Sequence, residues 1–283
     1  MQLIAIDLDG TLVDSQDHIS DANITAIKKA QDQGIEVTIA TGRSYSEVLA
    51  ICKEMGISTH IISSNGASVH SRDGRQLSST TIERQDAISS LQWLDYHRYY
   101  YEVTVDDETY TTVYSKQFLQ EDICRAKAAN HLGTDKASFC LEISKIIRPI
   151  SVVNRYDELF KRTTVCHKIF VFSPDSTRLQ AGFSFFEAMQ CFNVVSSLDH
   201  NIELISKNAS KGKGLQVLAL ALGISLDDTM AVGDNYNDVS MFDTAKYSVA
   251  MGNAKEEIKA LCTYVTLSND EDGVAHALDK MIS

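Results

Sequence analysis

Long apolar runs are missing from this sequence, and none approaches the roughly 18 residues that a membrane-spanning helix needs. The opening stretch Met1-Gln2-Leu3-Ile4-Ala5-Ile6-Asp7 has no basic region ahead of a short apolar one, so an export signal is not expected either. The expected location is the cytoplasm, with no membrane partner. Cysteines are few and dispersed: Cys52, Cys124, Cys140, Cys166, Cys191 and Cys262 include no CxxC pair. That argues against a zinc ribbon and fits reduced thiols. Positive charge is also short, with 26 Lys+Arg against 38 Asp+Glu and a formal net charge of −12. Such a chain repels a phosphodiester backbone, so nucleic acid is not an expected partner. Any anionic substrate must instead find a locally positive site.

Proline and, over one stretch, glycine are scarce in a way that marks domains. Both prolines, Pro149 and Pro174, and only two glycines, Gly133 and Gly182, lie between Thr81 and Ser197, whereas the other 12 glycines lie outside. Aromatic residues do the reverse, 17 of the 22 falling between Trp93 and Phe192. Glycine gathers where strands turn tightly into helices or where backbone approaches a ligand. The outer parts, 1–81 and 198–283, therefore read as one discontinuous α/β domain, and 82–197 as an inserted, aromatic-rich α+β domain. At 283 residues and 44% apolar, the chain is long enough to bury two cores.

In the outer domain, short β-branched runs alternate with amphipathic helical patterns. Strands are expected at Leu3–Leu8, Ile35–Ala40, His60–Ser63, Ile202–Ile205, Thr229–Val232 and Tyr247–Ala250. Helices are expected from Asp21 after an N-cap at Ser20, from the capping box Ser44-Tyr45-Ser46-Glu47, over Gly214–Leu222, and from about Asn237. Alternation of this kind builds a doubly wound parallel sheet, which binds ligands at the carboxyl ends of its strands. Polar motifs stand at those positions. The first strand runs into Asp7-Leu8-Asp9-Gly10-Thr11, the second into Thr41-Gly42-Arg43, and Thr229–Val232 into Gly233-Asp234-Asn235-Tyr236-Asn237-Asp238.

Together with SNGA at 64–67, SKGKGL at 210–215 and AMGNA at 250–254, this ordered set resembles the Cof-type hydrolase branch of the haloacid dehalogenase superfamily. The likeness runs through the outer domain. The middle segment matches in length and position as the αβ cap of that branch, which implies closure over the site and substrate selection. The resemblance implies a phosphatase for a small phosphorylated metabolite: a sugar phosphate, a nucleotide, or a flavin- or pyridoxal-type monoester. Asp7 would be the nucleophile that accepts the phosphoryl group, and Asp9 would protonate the leaving alcohol and deprotonate water. Mg²⁺ is the implied cofactor, held by Asp7, Asp234 and the carbonyl of Asp9 with Asp238 in support. Lys211, Thr41, Gly42, Asn237 and the backbone of Leu8 would bind phosphate, and Arg43 and Asn65 would reach toward the substrate or the hinge.

Elementary chemistry agrees with that assignment. A carboxylate closing an apolar strand, as Asp7 does, is expensive unless a cation pairs with it. A phosphate dianion about 4 Å from Asp7 would be repelled by roughly 8 kcal/mol at an effective dielectric of about 20, so cations must converge there. Simpler readings fail on particulars. An EF-hand starting at Asp7 would place Gly and Glu where Leu12 and His18 stand, and Lys211 has no GxxxxGK[ST] around it. The eight histidines show no paired ligand spacing. The Trp93–Tyr114 aromatics read as core before they read as a stacking surface. Asp106-Asp107 reads as a hairpin turn, and Asn65-Gly66 carries the same signal. Two alternatives use much of the same chemistry: a phosphomutase of the superfamily, and a catalytically idle regulatory or phosphoacceptor protein. A receiver-type phosphoacceptor would want an Asp after the third strand, where Ser64-Asn65 stands.

Overall fold

The computed structural model describes residues 1–128, 150–161, 164–196 and 200–282. The chain divides into two compact units, one of Met1–Thr80 with Ala209–Ser283 and the other of Thr81–Asn208. The first unit begins with β1 (Leu3–Ile6), β2 (Glu36–Ala40), β3 (His60–Ser63), β4 (Ser68–His70) and β5 (Gln76–Ser79). The second holds β6 (Tyr100–Val105), β7 (Glu108–Thr112), β8 (Ser151–Val153), β9 (Cys166–Phe172), β10 (Phe192–Val195) and β11 (Asn201–Ser206). The first resumes with β12 (Thr229–Gly233), β13 (Tyr247–Ala250) and β14 (Tyr264–Val265).

In the first unit the strands lie in the order β14-β13-β12-β1-β2-β3-β4-β5. Neighbours from β14 to β3 are parallel, and β4 and β5 add antiparallel at the edge. Alternation along β1 serves both faces: Ile4 and Ile6 pack with Ile27 and Leu278, while Leu3 and Ala5 pack with Leu215 and Leu218. The local signals hold. Ser20 caps the helix Asp21–Asp32, Ser44 and Glu47 form the capping box of Tyr45–Glu54, and Gly223 ends Lys211–Leu222 in the left-handed conformation. That last helix starts three residues before the expected Gly214, because Ser210 accepts a hydrogen bond from the Lys213 N–H and sets the cap there. From β1 the chain winds one way through β2 and β3 and the other way through β12 and β13. The switch point is thus at the carboxyl ends of β1 and β12, where an open parallel sheet leaves a crevice.

The second unit's sheet has the order β10-β11-β9-β6-β7-β8, antiparallel except where β8 runs beside β7. Helices Arg84–Tyr96 and Ser176–Ala188 lay Leu91, Leu94 and Phe186 against Tyr101, Val103, Ile169 and Val171. Tyr99 and Tyr101 are therefore core, while Tyr96 and Tyr114 face solvent. Asp106 and Asp107, both at positive φ, form the expected turn between β6 and β7.

The strand expected at Ile202–Ile205 in the outer domain needs correction. It is β11, and it pairs antiparallel with β9 and β10 in the second sheet, with Ile202 and Leu204 in that unit's core. The unit boundary accordingly falls after Asn208 rather than at 197. Composition misled because the aromatic run stops at Phe192, one strand before the sheet is complete. Cys52, Cys124, Cys166, Cys191 and Cys262 are free thiols, and Cys140 lies outside the described residues. Among the described residues no helix is long and apolar enough to cross a membrane.

Candidate active site

At the switch point, Asp7 follows β1 directly, and its N–H donates to the Val232 carbonyl of β12 at 2.9 Å, which fixes the strand end against its neighbour. Asp234 follows β12 in the same way. Between them the first loop turns at Gly10 (φ +83°), where a Cβ would stand 2.7 Å from an Asp234 carboxylate oxygen. Glycine thus permits both the turn and the approach. Thr11 Oγ1 donates to Asp234 Oδ1 at 3.0 Å and orients that carboxylate.

Lys211, first residue of the helix Lys211–Leu222, is fully buried and shared. Its Nζ donates to Asp7 Oδ1 at 2.5 Å and to Asp238 Oδ1 at 2.6 Å. Asp238 uses its second oxygen to accept the Asp234 and Asn235 N–H groups at 2.9 and 3.0 Å, so it braces the turn after β12 while steering the lysine. One oxygen from each of Asp7, Asp234 and Asp238 lies within 4.8 Å of the others. The electrostatics follow from burial and crowding. Burial, then the Asp238 charge, pushes Asp7 well above the usual carboxylate range against the pull of Lys211, and the same two causes push Asp234 up to about 7. Burial works against the Lys211 charge, but Asp238 and Asp7 overcome it and hold the ammonium ionised. Both partners shift upward, which favours the neutral form of Asp7 and the charged form of Lys211, because one ammonium serves three carboxylates. Fully ionised, three carboxylates about one ammonium would leave two negative charges uncompensated, and an all-oxygen donor set that gains its charge as a cation enters fits a hard divalent ion.

The remaining expected residues divide into two groups. Asp9 is near in sequence but turned elsewhere: Arg43 Nε and a terminal guanidinium nitrogen donate to its two oxygens at 3.0 and 2.6 Å. Thr41 is buried, donates its N–H to the Ile62 carbonyl, and accepts the Arg43 N–H on Oγ1 at 3.2 Å, with Gly42 inside that turn. Leu8 is buried, and its carbonyl accepts the N–H groups of Leu12 and Val13, which tightens the first loop. Asn237 Nδ2 donates to Asn65 Oδ1 at 3.1 Å. Asn237 sits in a 3₁₀ turn, Tyr236–Asp238, rather than in the first turn of an α-helix, which starts only at Val239.

Two asparagines escaped the sequence reading. Asn253 Nδ2 donates to the Gly10 carbonyl at 2.8 Å while its Oδ1 accepts the Asn269 N–H at 3.0 Å, and Asn269 Nδ2 donates to the Val13 carbonyl at 3.0 Å. They pin the loop that carries Asp9 from the far end of the chain. The AMGNA string contained the only signal, and it marks Asn253 without giving it a role.

Comparison with known proteins accords with this geometry. A family model described as haloacid dehalogenase-like hydrolase matches residues 4–278. The chain is 40% identical over 285 residues to Phosphatase YwpJ of Bacillus subtilis, covering 100% of both chains. It is 34% identical over 287 residues to the 5-amino-6-(5-phospho-D-ribitylamino)uracil phosphatase YwtE of the same organism, covering 100% of this chain and 99% of that one. A solved structure of a haloacid dehalogenase-like hydrolase from B. subtilis matches with a TM-score of 0.86 at 40% identity, covering 99% of this chain and 100% of the other.

Proposed function

This chain belongs to the haloacid dehalogenase-like hydrolase family, and on that premise we propose that it is a Mg²⁺-dependent phosphatase. Its substrate is a small phosphorylated metabolite, hydrolysed through an aspartyl-phosphate on Asp7. The observation that carries the reading is the buried Asp7–Lys211–Asp238 arrangement with Asp234 beside it at the switch point. A nucleophile for phosphorus needs a lone pair aimed from a site that tolerates a dianion. Asp7 supplies the oxygen, and Lys211 supplies fixed positive charge within hydrogen-bond reach of it.

Asp7 attacks phosphorus, the bond to the leaving oxygen breaks, and Asp9 gives that oxygen a proton. Asp9 then takes a proton from water, whose oxygen attacks the same phosphorus and frees the Asp7 carboxylate with inorganic phosphate. Thr41, the Gly42 and Leu8 N–H groups and the Asn237 amide hold the phosphoryl oxygens while charge shifts among them. Asp7, Asp234 and the Asp9 carbonyl, with Asp238 in support, would hold Mg²⁺, which would supply charge neutralisation and polarisation of the phosphoryl oxygens. The names of YwtE and a second 5-amino-6-(5-phospho-D-ribitylamino)uracil phosphatase among the relatives support placing that compound first in the panel to test, beside sugar phosphates, nucleotides, flavin-type monoesters and pyridoxal phosphate. The free, dispersed thiols fit a reducing compartment, and we assign the protein to the cytoplasm.

The deciding experiment is Asp7→Asn, assayed by phosphate release from that panel with folding followed by circular dichroism. The amide is nearly isosteric and a poor nucleophile, so turnover should vanish with the fold intact. Wild-type turnover by the variant would remove Asp7 from the mechanism.

A further inference from the structure

Between β3 and β4 the chain makes a turn that is more contorted than a hairpin requires. Ser64, Asn65 and Gly66 all have left-handed backbones, with φ of 49°, 53° and 88°. Two of the three are not glycine, and the first gains nothing locally, since Ser64 Oγ is buried and makes no hydrogen bond among the described residues. A short primed turn would connect the same antiparallel strands without three such residues in succession. Conformations of this kind persist where the surroundings over-determine them, and such places are enriched at functional sites.

The surroundings here are the anion-binding parts themselves. The Ser64 N–H donates to the Arg43 carbonyl at 2.8 Å and the Asn65 N–H to the Thr41 carbonyl at 2.9 Å, so the turn holds the Thr41-Gly42-Arg43 loop by its main chain. Gly66 lies so close to the start of the lysine-bearing helix that a Cβ would stand 2.0 Å from the Ser210 carbonyl oxygen and 3.1 Å from the Lys211 nitrogen. Asn65 Oδ1 receives the Asn237 amide at 3.1 Å. One three-residue turn therefore meets three of the four segments to which phosphate contacts are assigned, all but the loop after β1. An acceptor at position 65 also decides which way the Asn237 amide faces. It takes one N–H, so the second N–H of the same nitrogen stays available for a phosphoryl oxygen; a donor there would draw in the Asn237 carbonyl oxygen instead.

We propose that the Ser64–Gly66 turn is the positioning element of the phosphate site and that Asn65 is a positioning residue acting through the Asn237 amide. The inference rests on the phosphatase reading above. Asn65→Gly is the informative substitution, because glycine keeps the left-handed backbone and removes the side-chain acceptor. Inhibition by orthovanadate and by inorganic phosphate should weaken by about ten-fold, the size of one lost hydrogen bond to a charged group. The thermal midpoint should move by less than about 2 °C, which corresponds to a small stability change. The same substitution made in an Asn237→Ala background should add less than about two-fold, since the group it acts through is gone. Independently of any turnover, the Asn237 side-chain NH₂ signals in a ¹⁵N-labelled sample should shift in Asn65→Gly. Unchanged inhibition constants, full multiplication of the two effects, or unmoved Asn237 signals would each overturn the inference. If Asp7→Asn still hydrolyses monoesters, the phosphatase reading falls first. If Asp7→Asn is dead and the cycle is multiplicative, only the role of Asn65 falls.

Discussion

The Asp9 carboxylate, gripped at both oxygens by Arg43, carries the sharpest consequence of a single side chain. If its task is proton transfer at the leaving oxygen, Asp9→Asn should lose about 10²–10⁴-fold with alkyl phosphates and far less with p-nitrophenyl phosphate, whose phenolate leaves unaided. Rates measured across a leaving-group series check this, and an equal loss with both kinds of ester contradicts the role. A carboxylate closing an apolar strand is unusual for its place and was legible on that ground, whereas Lys211 was legible only through the resemblance of the SKGKGL string. Asn253 was not legible, and Asn65 was named only through the resemblance of its SNGA string, since an asparagine in a turn has a sufficient local reason to be there. Only the distance from Asn237 to Asn65, or from Asn253 to the Gly10 carbonyl, reveals the other purpose.

The turn after β3 and the strand itself bear on stability. A left-handed Ser64 costs about 1–2 kcal/mol relative to glycine, partly recovered by the stiffer unfolded chain, so Ser64→Gly should stabilise by up to about 1 kcal/mol in denaturant unfolding. A loss would mean that the serine side chain packs usefully. In β3, burial holds His60 below the usual histidine range, and its Nδ1 accepts the Arg72 N–H while Nε2 faces Glu36 at 3.1 Å. The neutral ring is the folded form. Because the folded pKa is depressed, its stabilisation is complete above the unfolded value of about 6.5 and is lost as pH falls toward the folded one. His60→Gln should therefore flatten the decline in unfolding free energy below about pH 6.5, and an unchanged slope would clear His60 of any part in it. Strand and helix positions were largely readable, because caps at Ser20, Ser44 and Gly223 and the β-branched runs are local signals. The membership of β11 was not, because pairing with β9 and β10 is decided across the sheet and leaves no mark in the strand's own residues.

The first unit as a whole is loaded with unbalanced charge at one point, three carboxylates about one lysine, inside a chain whose formal charge is −12. A divalent cation that binds the folded cluster and not the unfolded chain stabilises by mass action, about 2.7 kcal/mol at a hundred times its dissociation constant. Millimolar Mg²⁺ should raise the thermal midpoint and EDTA should reverse it, while Asp234→Asn should respond weakly. Equal midpoints with and without Mg²⁺ would remove the cluster as a cation site.

The pairing of β1 with both β2 and β12 has a further effect during synthesis. Everything up to β5 leaves the ribosome with one side of β1 bare, and the strand that covers it emerges on the order of ten seconds later at ordinary elongation rates. The contiguous stretch Thr81–Asn208 has no such wait for its own partners. A nascent chain stalled before residue 229 should thus carry a finished second unit beside a half-built sheet with an adhesive rim, which makes it a natural client for chaperones until its last quarter arrives.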